Sequence, residues 1–234
     1  MNKKLIIANI IIFLGAALAI TMFYYTAPIQ AKFSEAEMED LVTGGKAIVI
    51  KPLLTANAYQ RGGFYDYYHG ICDESCLSIP INETARYDYN SSRRAIEVLG
   101  KLGYPMITDV FLESNPSIIF QYDTVILLHS EYVTQKTFNV ITHHPNVLYL
   151  YPNSLYAEIE IDNGTMRLIR GHQYPDHSIT NGFGWIHDNH DDEFDNKCET
   201  TEWRKITNGY QLKCYPENRF YYSKDILSFI RAHS

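Results

Sequence analysis

A long apolar segment near the amino terminus strongly limits what this chain can fold into. Leu5 to Phe23 contains no charged side chain, and as a helix it would extend about 29 Å, enough to cross the hydrocarbon core of a bilayer. Lys3 and Lys4 precede the segment, and the next charged residue is Lys32. This charge distribution predicts one transmembrane helix with a cytoplasmic amino terminus and an extracytoplasmic body, which places the protein in the cell membrane as a single-pass protein.

The same segment could instead be a cleaved signal sequence. The best cleavage candidate, Ile29-Gln30-Ala31, has a bulky residue where signal peptides carry a small one, so retention as an anchor is favoured. We divide the chain into a membrane anchor or signal peptide over residues 1–31, a connecting stalk over 32–45 and an α/β ectodomain over 46–234.

The composition excludes disorder and argues against nucleic acid as a partner. The chain is 46% hydrophobic and 20% charged, which is typical of globular proteins. Its formal charge is -7, with 27 acidic and 20 basic residues. Nucleic-acid affinity depends on clustered Lys and Arg, so an acidic chain without basic runs is a poor candidate.

The cysteines agree with export from the cytoplasm. An even set of four allows three disulfide connectivities, and we favour the pairs closest in sequence, because each would close a local loop: Cys72 with Cys76 and Cys198 with Cys214. A zinc site is less consistent with this spacing. Three N-x-[ST] triplets, at Asn82, Asn90 and Asn163, would be glycosylated if the host modifies exported chains.

Alternating hydrophobic patterns predict an α/β fold with an open, mostly parallel sheet and helices on both faces, a three-layer arrangement of the flavodoxin-like type. A hairpin around Asn163-Gly164 is expected to end this sheet as an antiparallel pair. The predicted strands are residues 46–54, 104–112, 123–129, 146–150, 155–162 and 165–170, and the predicted helices are 91–102, 134–142 and 223–232.

Two loops at the carboxyl edge of this predicted sheet carry candidate site residues, because ligands of such folds bind at that edge. His129 and Glu131 follow the third strand; they could act as a general base or ligate a metal, or Glu131 could cap the next helix and His129 could be a core residue. Tyr59 lies in the loop after the first strand, where Gly62-Gly63 predicts a turn. That loop either delivers Tyr59 to the crevice or is a plain turn with tyrosines packed against it.

These two loops resemble a known family. The segment ANAYQRGGFY is similar to AYN-x-x-GG-x-S-L-Y, and LLHSEYVT is similar to GH-x-EYW-S, of the carboxyl-terminal domain of the N,N-dimethylformamidase large (beta) subunit and its relatives. GTMRLIRGH and GYQLKCYPE resemble archaeal members of the group. The resemblance covers about Lys46 to His172 and implies a class I glutamine amidotransferase-like fold.

The resemblance also implies a metal site. Amidases of this family hold one iron ion with two tyrosinates and a carboxylate, for the hydrolysis of small amides. Carried over to this sequence, Glu131 is the carboxylate ligand, Tyr59 is one phenolate and His129 is a nearby base. Tyr104 is the candidate for the second phenolate, because it lies in the corresponding part of the chain.

Two other sets of residues suggest different chemistry. Ser130 occupies the strand-to-helix elbow where an amidotransferase carries its cysteine nucleophile, but the sequence around it is not G-x-S-x-G. The segment from Gly184 to Asp195 is rich in His and Asp and is either a divalent-metal site or a solvated loop; its candidate ligands are His187, His190, Asp188, Asp191 and Asp192.

Two functions remain open on the sequence. The first is a membrane-tethered, non-catalytic domain that binds an envelope protein or another partner outside the cytoplasm. The alternative is an iron-dependent hydrolase of small amides that uses Glu131, His129 and Tyr59. Leu128, Val133 and Gln60 differ from the family motifs, and these departures favour the first function.

Overall fold

The structure, a computed structural model, describes residues 46–234, which form a mixed α/β fold. The predicted membrane anchor (1–31) and stalk (32–45) lie outside the described residues. Within the described range, none of the helices combines the length and the apolar character needed to cross a membrane.

The strands of the described chain are, in order, β1 (Ala47–Lys51), β2 (Ser78–Pro80), β3 (Met106–Thr108), β4 (Thr124–Leu127), β5 (Tyr132–Thr134), β6 (Val147–Tyr149), β7 (Ala157–Asp162), β8 (Thr165–Arg170), β9 (Trp203–Ile206) and β10 (Gly209–Leu212). The α-helices are α1 (Leu53–Ala58), α2 (Phe64–Tyr68), α3 (Arg93–Lys101), α4 (Asp109–Ser114), α5 (Gln135–His143) and α6 (Lys224–His233).

The larger sheet is mostly parallel, as the sequence predicts. Its strand order is β3-β1-β4-β6-β10-β9, and all neighbours run parallel except β10 and β9. Every residue of β4 is buried, and its side chains contribute to the main hydrophobic core together with those of β1 and β6. Burial on both faces explains why β1 and β4 read as nearly continuous apolar runs.

The predicted hairpin forms, but it does not belong to the larger sheet. β7 and β8 pair antiparallel around Asn163-Gly164 within a second sheet of order β2-β8-β7-β5. The hairpin belongs to the second sheet because β7 pairs in parallel with β5, with Tyr132 opposite Ala157. Strand β5 follows the loop after β4. β10 and β9 take the place beside β6 at the edge of the larger sheet.

Two predicted strands end early and continue as helices. β1 stops at Lys51 and β3 at Thr108, and α1 and α4 begin almost immediately afterwards. The side chain of Asp109 accounts for the start of α1, because it accepts hydrogen bonds from the backbone N–H of Leu53 (3.1 Å) and Leu54 (3.1 Å) as well as from that of Val110 (2.9 Å). Thr108 caps α4: its hydroxyl oxygen accepts a hydrogen bond from the N–H of Phe111 at 3.1 Å. These N–H groups would otherwise lack acceptors in the first turns of the two helices.

Asp109 is expected to make the stability of this domain depend on pH. Burial raises its pKa from 3.8 to about 7, so the folded state holds a proton that the unfolded state releases above pH 4. The stabilisation is complete below about pH 4 and is lost as the pH rises through 7, by up to about 4 kcal/mol. Chemical denaturation should show the free-energy advantage of wild type over Asp109→Asn to be larger at pH 5 than at pH 8. A difference that does not change with pH would contradict this expectation.

The cysteines pair locally, as predicted. Cys72 bonds Cys76 with Cα atoms 6.2 Å apart, and Cys198 bonds Cys214 with Cα atoms 5.3 Å apart. The second bridge joins the chain before β9 to the chain after β10. It therefore fixes the segment that leads from β10 into Tyr215, which lines the site described next.

Candidate functional site

The loop between β4 and β5 lies at the carboxyl edge of the larger sheet and is held by two hydroxyl groups. The backbone N–H of Glu131 donates to Thr55 Oγ1 of α1 at 2.9 Å, and the N–H of His129 donates to Ser92 Oγ at 2.9 Å. Both side chains are buried, His129 at 2% exposure and Glu131 at 0%. The prediction that this loop presents polar groups at the carboxyl edge is confirmed.

Two tyrosines meet Glu131 in a continuous chain of hydrogen bonds. Tyr59, at the end of α1, donates to the phenol oxygen of Tyr65 in α2 at 2.5 Å, and Tyr65 donates to Glu131 Oε1 at 2.9 Å. The two rings are stacked with centroids 3.8 Å apart. Three oxygen atoms from three separate elements are therefore joined in one chain of hydrogen bonds.

Gly63 makes this arrangement possible. A Cβ atom at that position would lie 2.3 Å from the carbonyl oxygen of Ala58 and 2.7 Å from that of Asn57, so only glycine allows the chain to turn this tightly from α1 into α2. The Gly62-Gly63 turn that the sequence predicts is thus the element that folds Tyr65 back onto Tyr59.

His129 and Glu131 each present a free acceptor to the other. His129 Nδ1 lies 2.6 Å from the carbonyl oxygen of Asn90, and because a carbonyl only accepts, we assign the proton of the neutral ring to Nδ1. Nε2 then keeps its lone pair, 4.0 Å from Glu131 Oε2. Among the described residues neither atom has a hydrogen-bond partner. Two buried polar atoms without a hydrogen-bond partner are costly, and a cation bound between them would satisfy both.

Burial determines the protonation states of the histidine, the glutamate and the two tyrosines of this site. It lowers the pKa of His129 to about 4, which keeps the ring neutral at pH 7. It raises the pKa of Glu131 to about 8, against the opposing effect of the Tyr65 hydrogen bond. Burial and the nearby charge of Glu131 also raise the pKa of both Tyr59 and Tyr65. Without a cation, the site is therefore a protonated, neutral cluster at pH 7.

Tyr104 does not belong to this group, which corrects the expectation that it supplies the second phenolate. It precedes β3 at the amino edge of the sheet, and its hydroxyl lies 3.3 Å from Ser234 Oγ after α6. Glu131 follows β4 at the carboxyl edge. Tyr65, not Tyr104, lies beside Tyr59 and Glu131, and its spacing of six residues from Tyr59 across a Gly-Gly turn is the sequence signal for this placement.

The other candidates do not assemble a second reactive site. Ser130 Oγ is buried with no hydrogen-bond partner, and His129 Nε2 is directed at Glu131 instead. In the segment 184–195, His190 pairs with Asp188 at 2.8 Å, while His187 lies against Thr207 Oγ1 at 3.1 Å. No group of three His, Cys, Asp or Glu side chains within residues 46–234 is arranged to hold a metal ion.

A cavity of about 200 Å³ opens beside the cluster. Tyr59 and His129 form part of its wall, and the other lining residues are Tyr89, Asn90, Glu193, Phe194, Asn196 and Tyr215. Glu193 and Phe194 belong to the segment 184–195, which the sequence offers as a possible metal site, and Asn90 is a glycosylation candidate; Tyr89, Asn196 and Tyr215 are not predicted as site residues. These residues come from separate parts of the chain, and no local sequence signal predicts that they share one wall. Of the three glycosylation candidates, Asn82 and Asn163 are exposed, whereas Asn90 is half-buried in this wall.

Comparison with known proteins adds no assignment. No model of a protein family matches the chain, and no curated protein matches it either.

Proposed function

We propose that this domain is a metal-dependent hydrolase of small amides, with Tyr59, Tyr65 and Glu131 as the metal ligands. The observation that carries the proposal is the Tyr59–Tyr65–Glu131 chain of oxygen atoms, 2.5 and 2.9 Å apart. Oxygen atoms at such separations can share one ion at ligand distances of about 2 Å each.

The chemistry of the residues fits a cation. Glu131 Oε2 and His129 Nε2 are buried and have no hydrogen-bond partner among the described residues, and phenols with a raised pKa ionise only if a positive charge replaces their protons. Oxygen-rich donor sets favour hard, highly charged ions, which agrees with the iron implied by the resemblance to the N,N-dimethylformamidase group. Such an ion would supply Lewis acidity for attack on an amide carbonyl.

The chain's own residues have separate roles in this proposal. Glu131 and the two phenols give up their protons and hold the site. His129, neutral and with a free Nε2, would accept a proton from the attacking water and return it to the amine nitrogen as the C–N bond breaks, so that the amine leaves protonated, and the carbonyl of Asn90 keeps the ring in that tautomer. The cavity holds the amide. Its volume of about 200 Å³ is below the range typical of drug-sized ligands and favours a small substrate.

In this proposal the domain has a class I glutamine amidotransferase-like architecture and acts outside the cytoplasm, tethered by the N-terminal apolar segment. The mostly parallel sheet, with its site at the carboxyl edge, supports the proposed architecture. The two disulfides support a location outside the cytoplasm, because such bonds persist in oxidising compartments.

Metal binding by tyrosine variants tests the proposal. We expect the purified full-length protein, stripped of metal and titrated with iron, to bind about one ion and to develop a visible tyrosinate charge-transfer band. Tyr65→Phe and Tyr59→Phe should each weaken iron binding by at least about 100-fold, because each removes a ligand oxygen and leaves the ring.

Tyr104→Phe is the matched control, since it removes a buried phenol from the opposite edge of the same sheet and should leave iron binding unchanged. If the wild type binds no metal after reconstitution, or if Tyr65→Phe binds as well as wild type, the hydrolase proposal fails. That result would favour the alternative of a non-catalytic interaction domain at the membrane.

A further inference from the structure

We propose that the cavity selects small amides that carry a positively charged ammonium group. This inference names the substrate class of the hydrolase proposed above and rests on that function. Its basis is the composition of the cavity wall, which combines aromatic rings with one carboxylate and contains no Lys or Arg among its lining residues.

Tyrosine and phenylalanine rings supply four of the eight residues that line the cavity. Tyr59, Tyr89, Tyr215 and Phe194 all line the cavity, and Tyr89 stacks on Tyr215 with ring centroids 5.3 Å apart. Phe194 is 77% exposed, which is unusual for a large apolar side chain and leaves its ring available at the opening. Aromatic faces attract cations, and cavities built from several of them are used to recognise ammonium groups.

Glu193 adds a negative charge at the same place. It is the acidic residue of the lining, and it lies in the short 3₁₀-helix His190–Phe194 that borders the cavity. Burial and the neighbouring Asp188 and Asp191 raise its pKa, with His190 opposing them. An ammonium group beside Glu193 would relieve this repulsion, whereas a carboxylate would add to it.

The same cavity reaches the proposed site. Tyr59 and His129 also line it, and Tyr59 belongs to the chain of hydrogen bonds that ends at Glu131. A short molecule that carries both an amide and an ammonium group thus fits a cavity of about 200 Å³ whose wall combines these residues with aromatic rings and Glu193.

Three amides of nearly equal size test the inference: glycinamide (cationic), propionamide (neutral) and malonamate (anionic). Isothermal titration calorimetry on the metal-free, full-length protein should give a Kd for glycinamide at least about tenfold lower than that for propionamide. Malonamate should bind more weakly than either. Glu193→Gln should reduce the preference for glycinamide to about twofold or less.

Glu199→Gln is the charge-matched control, because Glu199 is exposed close by in the sequence and does not line the cavity. This variant should keep the full preference. Equal affinities for the three amides, or a preference that survives Glu193→Gln, would overturn the inference. A preference for glycinamide without iron binding or turnover would support the selectivity and contradict the hydrolase proposal, so the two failures are distinguishable.

Discussion

Glu131→Gln is expected to abolish iron binding and, at the same time, to stabilise the metal-free protein at alkaline pH. Glutamine has the same shape, can still accept the hydrogen bond from Tyr65, and can donate towards His129 Nε2, which now lacks a donor. It cannot supply a charged ligand oxygen, so the affinity for iron should fall by at least about 1,000-fold.

The gain in stability follows from the same burial that defines the site. The pKa of Glu131 is raised from 4.5 to about 8 in the folded protein. Its contribution to the free energy of unfolding is therefore complete below pH 4.5 and is lost as the pH rises through 8. At pH 9 the folded wild type carries a buried carboxylate that the variant avoids, a difference of roughly 3 to 5 kcal/mol. Denaturation of both proteins at pH 5 and pH 9, with metal removed, measures it.

Glu217→Gln is the control that separates the loss of iron binding from the gain in stability at alkaline pH. Glu217 is also buried, accepts a hydrogen bond from Tyr151 at 2.5 Å, and has a pKa raised to about 7 by burial. Its replacement should change the pH dependence of stability in the same direction but leave iron binding intact. If Glu131→Gln destabilises the metal-free protein at pH 9, or retains iron, then Glu131 has a structural role instead of a ligand role.

The sequence was sufficient to place Glu131 and His129 because their position depends on one strand. The run of apolar residues before His129 predicts a buried parallel strand, and the residues after such a strand must lie at its carboxyl end. The Asn163-Gly164 hairpin and the local disulfides were predictable for the same reason: each depends on a short stretch of chain and on turn chemistry.

The position of Tyr65 beside Glu131 could not be predicted from local sequence patterns. Tyr65 reaches Glu131 only because α2 follows a turn that Gly63 permits, and α2 is too short to show a helical period. Tyr104 was nevertheless excludable from the sequence alone. It is the first residue of its predicted strand, whereas Glu131 follows its own strand, and in a parallel sheet these two positions lie at opposite edges.

The second sheet and the cavity were beyond sequence analysis for a different reason. β2 and β5 contain three residues each, so an alternating pattern cannot be recognised in them. The cavity wall brings together Tyr89, Glu193 and Tyr215, which are separated by long stretches of chain. Their contacts arise from tertiary packing, and no spacing rule predicts them.

Gly209→Ala is expected to prevent stable folding, with a loss of at least about 5 kcal/mol. Gly209 begins β10 with φ at +148°, and a Cβ atom there would lie 1.9 Å from the carbonyl oxygen of Val147 and 2.7 Å from its backbone nitrogen. Both obstacles are backbone atoms of the paired strand β6, so no side-chain rotation relieves the clash. The strands must separate, and that breaks parallel hydrogen bonds at the edge of the core.

The consequence extends to the proposed site, because β10 leads through the Cys198–Cys214 disulfide into Tyr215 on the cavity wall. Circular dichroism and chemical denaturation should therefore show loss of the cooperative transition together with loss of glycinamide binding. Gly100→Ala is the control: a Cβ there would be 3.6 Å from Met106 Cε, and within α3 the change should be neutral or stabilising by up to about 1 kcal/mol. A Gly209→Ala protein with wild-type stability would mean that β10 does not pair with β6 as described, and that the cavity wall formed by Tyr215 must be placed differently.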